Sequence, residues 1–374
     1  MNRKLLSLVL VMLITLSFVV GCGKTDSQTA AKNDSATAEK IKVTLLGAQF
    51  GDKSYWDSSK KGIETAGEKF KDKIEINVVD MTPDRTKWKA ALIEASEGDS
   101  NLIITGTWDQ EENLEELASQ YPDKKYILFD SPVDYEKYDC KNVYSMGYKA
   151  NESGYLAGIV GAYMTTSQNE GINPDKAIGF VGGMDNTPII NDFLVGYIEG
   201  AKSVEPNIKV AVSYIGSFTD SAKAKELALA QFNSRNVDII FSVAGASGTG
   251  TIEAAGGVGK YAIGVDSDQS ALYAGRKEQS VIVTSALKRV DNSILNSISK
   301  YLDGTLSFGK YEVLGINDDA IGIVKNDVFK GLVDADFILK IEKAEQQLKN
   351  GEIKVTSAFE IDQEQVKKMV DSVQ

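Results

Sequence analysis

Histidine is absent from this 374-residue chain, and cysteine is nearly so, with two residues. The first absence removes His-based catalytic triads, His metal sites and the commonest general base together. The second leaves Cys140 unpaired, because Cys22 lies in the N-terminal leader, so no intrachain disulfide is possible. With no imidazole to activate it, Cys140 reads as a small buried hydrophobe rather than a nucleophile. Basic residues are also short: 41 Lys and Arg face 53 Asp and Glu, for a formal charge of -12. Loss of residues 1–21 would take Arg3 and Lys4 away and leave -14. An acidic body lacks the clustered cations that phosphate backbones require, which argues against a nucleic-acid partner. Two glycine-rich turns fail as nucleotide motifs. Gly256-Gly257-Val258-Gly259-Lys260 has Tyr261 where a phosphate loop needs Ser or Thr, and its first glycine is missing. Gly245-Ala246-Ser247-Gly248-Thr249-Gly250 fits neither a dinucleotide fingerprint nor a nucleophile elbow. With no metal cluster and no activated nucleophile in the pattern, the chain reads as a binding protein, without cofactor, rather than an enzyme.

What is present begins with a leader. Arg3 and Lys4 precede an apolar run over 5–20, which ends in Val19-Val20-Gly21-Cys22. This is the pattern of a secretory signal, too short for a confident membrane span. Its ending resembles a bacterial lipobox, in which Cys22 becomes the lipid-modified first residue. The stretch 23–39 is rich in Ser, Thr, Ala, Asp and Lys without apolar periodicity, as expected of a flexible tether. The expectation is a signal peptide over 1–21, a tether over 22–39, and a body held to the cell membrane by its lipid on the extracytoplasmic face.

The body alternates strand and helix. Strands are expected over 40–48, 73–81, 101–106, 125–130 and 142–148, with helices between them, and a second series starts with a Gly- and Ala-rich helix over 152–165. In that second series the run 177–181 breaks at Gly182-Gly183. It gives way to a helix whose Ile190, Leu194, Tyr197 and Ala201 share one face, with Asp185 and Asn186 available as caps and Pro188 in the first turn. Alternation of this kind predicts α/β architecture with parallel sheets covered on both faces. The expected organisation is a first lobe over 40–150, completed by about 290–374, and a second over 151–289.

Ligands of open α/β sheets sit outside the carboxyl ends of the strands. Aromatics and carboxylates recur there: Tyr55 and Trp56 after the first strand, Trp108 and Asp109 after the third, Phe193 on the helix after Gly182-Gly183, Asp266 and Asp268 ending YAIGVDSD, and Lys288 near the end of VIVTSALKR. Singly, Phe193 fits a core face, and the charged residues fit caps or solvated charges. Their shared position at the rim of two sheets points to a site in which rings stack a flat ligand and carboxylates accept hydrogen bonds from it. The turn at Gly245 could add backbone N–H groups.

GDKSYW, GFVGGMD with the later Phe193, YIGSFTDSAKAKELA, AGASGTG, YAIGVDSDQ and TSALKRVD, in that order from 40 to about 325, resemble the basic membrane protein family of bacterial lipoproteins, which bind purine nucleosides for ABC importers. The resemblance implies a type I periplasmic-binding-protein fold, two doubly wound parallel-sheet lobes closing at a hinge. It implies a base stacked between Tyr55 and Phe193, a ribose held by Asp266 and Lys288, and a contribution from the turn at Gly245. The family's Asn beside the first aromatic is here Trp56, and its second base-reading carboxylate corresponds to Asp109 or Glu111. The implied partners are a nucleoside and ABC permease subunits, with the receptor itself a monomer. A flavin-like ligand, or a surface sensor or adhesin, is the alternative.

Overall fold

A computed structural model describes residues 39–374 except Lys53 and Asn186. The expected signal peptide, the lipobox with Cys22 and nearly all of the tether lie outside the described residues. The strands are β1 (Ile41–Gly47), β2 (Ile74–Asp80), β3 (Leu102–Gly106), β4 (Lys125–Phe129), β5 (Val143–Tyr148), β6 (Ala177–Gly182), β7 (Lys209–Tyr214), β8 (Ile239–Val243), β9 (Tyr261–Asp266), β10 (Ile282–Lys288), β11 (Lys310–Leu314) and β12 (Ile321–Ile323). The helices are α1 (Tyr55–Lys69), α2 (Trp88–Glu97), α3 (Trp108–Leu117), α4 (Ala150–Thr166), α5 (Pro188–Val204), α6 (Ser221–Ser234), α7 (Gly248–Val258), α8 (Val290–Leu302), α9 (Asp327–Leu332), α10 (Ala335–Lys349) and α11 (Gln363–Asp371).

Central strands such as LIITG of β3 and IIFSV of β8 are buried along their whole length. Such continuous apolar runs suit parallel sheets with helices on both faces. Two six-stranded sheets result, in the orders β11-β5-β4-β3-β1-β2 and β12-β10-β9-β8-β6-β7. Every pairing in the first is parallel. In the second only β12 runs antiparallel, with Ala286 opposite Ile323 and Lys288 opposite Ile321. The chain passes between the sheets after β5, after β10 and between β11 and β12. These repeated passes bring the carboxyl ends of β1, β3, β4, β8, β9 and β10 around one cavity.

The helix α5 buries Ile190, Leu194, Tyr197 and Ala201, the face expected from their spacing. It starts at Pro188, with Thr187 in the cap position making no side-chain capping bond. It lies against α4 at very short range: a Cβ on Gly154 would stand 2.3 Å from the Phe193 carbonyl oxygen, and one on Gly196 would stand 2.0 Å from that of Asn151. Glycine in both helices is what permits this approach.

Beyond β11 the chain departs from the expected return to the first lobe. Phe337 of α10 stacks on Tyr163 of α4 with ring centroids 3.7 Å apart. Val366 of α11 packs with Val195 of α5 and Ala358. Ser357 Oγ and the Ala358 N–H both donate to Asp192 of α5, at 2.7 and 2.8 Å. The physical reason lies in α4, which is apolar on every side and must be covered on its outer face as well as against the sheet. Cys140 is free and buried, and burial pushes its thiol up to about 11. Among the described residues no helix is long and apolar enough to cross a membrane.

Candidate functional site

The cavity, about 120 Å³, opens where strand ends leave their sheets. Four non-glycine residues that line it have left-handed backbones: Gln49 after β1 (φ 53°), Thr107 after β3 (φ 77°), Asp130 after β4 (φ 66°) and Asp266 at the end of β9 (φ 64°). Gly245, after β8, is also left-handed at φ 52°. Such conformations cost of order 1–3 kcal/mol each for residues with a Cβ, least for Asp, and gather at ligand sites because they re-aim side chains. Here they turn two aspartates out of the strand direction and into the cleft.

Those aspartates belong to a polar cluster. Lys288 Nζ donates to Asp130 Oδ2 at 2.8 Å and lies 3.8 Å from Asp266 Oδ1. Ser54 Oγ donates to Asp266 Oδ2. Two of these links join the sheets, since Asp130 and Ser54 follow strands of the first while Lys288 and Asp266 belong to the second. Lys288 also stands over the ring of Tyr55, 4.6 Å from its centroid. Burial, aided by Asp266, holds the Asp130 carboxyl above its ordinary value, and Lys288 offsets only part of the rise. Burial lowers the Lys288 ammonium, but Asp130 and Asp266 outweigh this and hold it above its ordinary value, so it stays charged. Asp52 completes the cluster from the turn before α1. It accepts from the N–H groups of Ser54, Trp56 and Asp57 at 2.9, 2.9 and 3.1 Å, so Asp52, not Ser54, caps the helix. Burial nevertheless lifts its carboxyl to about 6.

A second cluster is aromatic. All three tryptophans of the chain, Trp56, Trp88 and Trp108, line the cavity. Trp56 packs edge-on against Trp88 at 6.1 Å and against Tyr55 at 4.9 Å, which joins the two clusters. The Arg85 guanidinium lies 4.8 Å from the ring of Trp108 and 5.9 Å from that of Trp88. It also pairs with Asp109 Oδ1 at 2.9 Å. Asp109 Oδ2 is buried and receives no hydrogen bond, as is the Tyr55 hydroxyl. Burial raises the Asp109 carboxyl against the pull of Arg85 and of the Thr107 side chain.

The structure therefore brings Tyr55, Trp56, Asp109, Phe193, Gly245, Asp266 and Lys288 to one cavity. Glu111 is elsewhere, accepting from Ser131 Oγ. Asp268 caps the short helical turn after β9, accepting from the Ser270 N–H at 3.0 Å. Phe193 lines the cavity but is 1% exposed, edge-on to Phe241 at 5.8 Å. Phe218, only partly buried, faces the same space from the loop after β7 and lies over the bare backbone of Gly183 and Gly245. Sequence reasoning passed over Phe218, Asp52, Ser54, Arg85 and Asp130. Of these, Asp130 carried a usable signal, as the last residue of the expected fourth strand.

Residues 38–358 match the family model Bmp, described as ABC transporter substrate-binding protein PnrA-like. The chain is 31% identical to basic membrane protein D of Borreliella burgdorferi over 341 residues, covering 90% of this chain and 92% of that one. It is 26% identical to the ABC transporter nucleoside-binding protein BmpA of Lactococcus lactis, covering 96% of this chain and 100% of that one. In structure it resembles an ABC transporter solute-binding protein from Aeropyrum pernix, with a TM-score of 0.75 at 24% identity over 89% of this chain and 97% of that one. The type I periplasmic-binding-protein architecture expected above is the fold observed.

Proposed function

The chain belongs to the Bmp family of PnrA-like ABC transporter substrate-binding proteins, and on that premise we propose that its cargo is a purine nucleoside, captured outside the cytoplasm by a receptor anchored through a lipid on Cys22. The observation that carries this reading is the pairing, in one cavity, of flat aromatic walls with a buried Lys288–Asp130–Asp266 cluster. Rings suit a base, and carboxylates beside a lysine suit adjacent sugar hydroxyls. The nucleoside-binding name of the Lactococcus relative supports the same ligand class. Tyr55 offers a stacking face from the first-sheet side and Phe218 offers one from the second, with the buried Phe193 behind that wall. Asp266 and Lys288 hold the ribose, the Gly245 turn closes over it, and Trp56 with Asp109 meets the base. The receptor acts as a monomer, hands its ligand to permease subunits and performs no chemistry on it.

The test is mass spectrometry of ligand released from protein purified out of cells. A purine ribonucleoside is expected. A flavin would favour the alternative to which the three cavity tryptophans lend weight, and a sugar or peptide would reject both. Fractionation of cells carrying Cys22→Ser tests the anchor separately: the variant should leave the membrane fraction, and retention there would count against lipidation.

A further inference from the structure

Resting on the nucleoside reading, we propose that Arg85 is a specificity-determining residue which, with Asp109, reads the base edge and favours 6-oxopurines over 6-aminopurines. Arg85 follows β2, a strand end at which no site residue was expected from the sequence, and its guanidinium is at the cavity wall. Its plane is held by the rings of Trp108 and Trp88 and by the 2.9 Å bond to Asp109 Oδ1. That ion pair is made through Nη1. A guanidinium has five N–H donors in a fixed fork, and the side chain is 49% exposed, so donors remain for a ligand.

Its partner supplies the complementary half. Asp109 Oδ2 is buried without a donor, and a buried oxygen of this kind calls for an N–H. The pair thus presents donors and an acceptor side by side. A 6-oxopurine answers both, with O6 and N7 as acceptors for the fork and N1–H as donor for the carboxylate. Arginine reads guanine in DNA through the same O6 and N7 atoms. An adenine amine can satisfy Asp109, but it leaves the guanidinium only a ring nitrogen beside that amine. The unsubstituted purine ring offers neither the oxygen nor the N–H.

Calorimetric titration of the wild type, Arg85→Met and Arg85→Lys with inosine, adenosine and purine riboside tests this. The wild type should bind inosine at least roughly tenfold more tightly than the other two, because a site built to bond a group rejects analogues lacking it. Arg85→Met should weaken inosine about ten- to hundredfold and leave adenosine within about threefold, which is under 1 kcal/mol. Arg85→Lys, which keeps the charge but loses the flat fork, should fall between. Thermal midpoints confirm that the variants are folded, as a half-exposed side chain leads one to expect. Equal wild-type affinities, or a parallel loss for inosine and adenosine, would overturn the role of Arg85 while leaving the nucleoside reading intact. Failure of the wild type to bind any of the three would overturn both.

Discussion

The two clusters of the cavity are built on opposite terms. Around Lys288 the charges are buried and bonded to one another: two carboxylates share one ammonium, and a serine hydroxyl ties Asp266 to the first-sheet side. Around Arg85 the ion pair is half open to water, Trp108 is 41% exposed, and one carboxylate oxygen has no donor. The first arrangement is held together before a ligand arrives, keeps one negative charge in excess for a ligand's donors, and is coupled to stability. The second is incomplete and is completed by whatever binds. A receptor built this way can keep one end of its site fixed and vary the other, and Trp56, in place of the family's Asn, stands at the end that varies.

Removing the cation from each cluster should break the symmetry most strongly. Lys288→Met leaves Asp130 and Asp266 buried with no counter-charge, and about 3–5 kcal/mol of stability should be lost. Arg85→Met, in the half-exposed cluster, should change stability by less than about 1 kcal/mol. Urea unfolding measures both, and equal losses would erase the distinction. Adding Asp130→Asn to Lys288→Met should recover part of the loss.

Acid separates the clusters next. The Asp52 carboxyl is lifted by burial to about 6 from 3.8. The folded state therefore holds this proton more tightly than the unfolded chain. The stability the group lends is complete below about pH 3.8 and lost as pH rises through about 6, a swing of roughly 3 kcal/mol. Asp52→Asn should flatten the dependence of unfolding free energy on pH across that window relative to wild type. Parallel curves for the two proteins would contradict the assignment.

On the second-sheet wall Phe193 is buried and Phe218 faces the cavity. Phe218→Ala should weaken the ligand by about 1–3 kcal/mol, the scale of base–aromatic stacking, with little change in stability. Phe193→Ala, at 1% exposure, should destabilise the fold by about 3–5 kcal/mol. If calorimetry and unfolding give the reverse pattern, Phe193 is the stacking ring and Phe218 a bystander.

The strand-to-helix alternation, the buried face of α5 and the chemistry at the ends of β1, β3 and β9 were legible because each is local, written within ten or twenty residues. The Lys288–Asp130 bond joins residues 158 apart and the Ser54–Asp266 bond residues 212 apart, so no periodicity announces them. Asp52 was hidden because it sits in the loop before α1 and reaches its partners through backbone N–H groups, which no side-chain pattern reveals. Arg85 was hidden because its neighbours Trp108 and Asp109 lie on another strand–helix unit. The tail was misplaced because α4 reads as one buried helix, and its sequence does not say which segment covers its outer side.

If the polar cluster holds a sugar while the aromatic cluster holds a base, one titration separates the two roles directly. Inosine and its free base, hypoxanthine, present the same base to Trp56, Arg85 and Asp109 and differ only in the ribose offered to Asp266 and Lys288. The wild-type protein should bind inosine at least roughly tenfold more tightly, about 1.4 kcal/mol or more. Equal affinity for the two would mean that the buried cluster is structural only and that the cavity does not read a nucleoside.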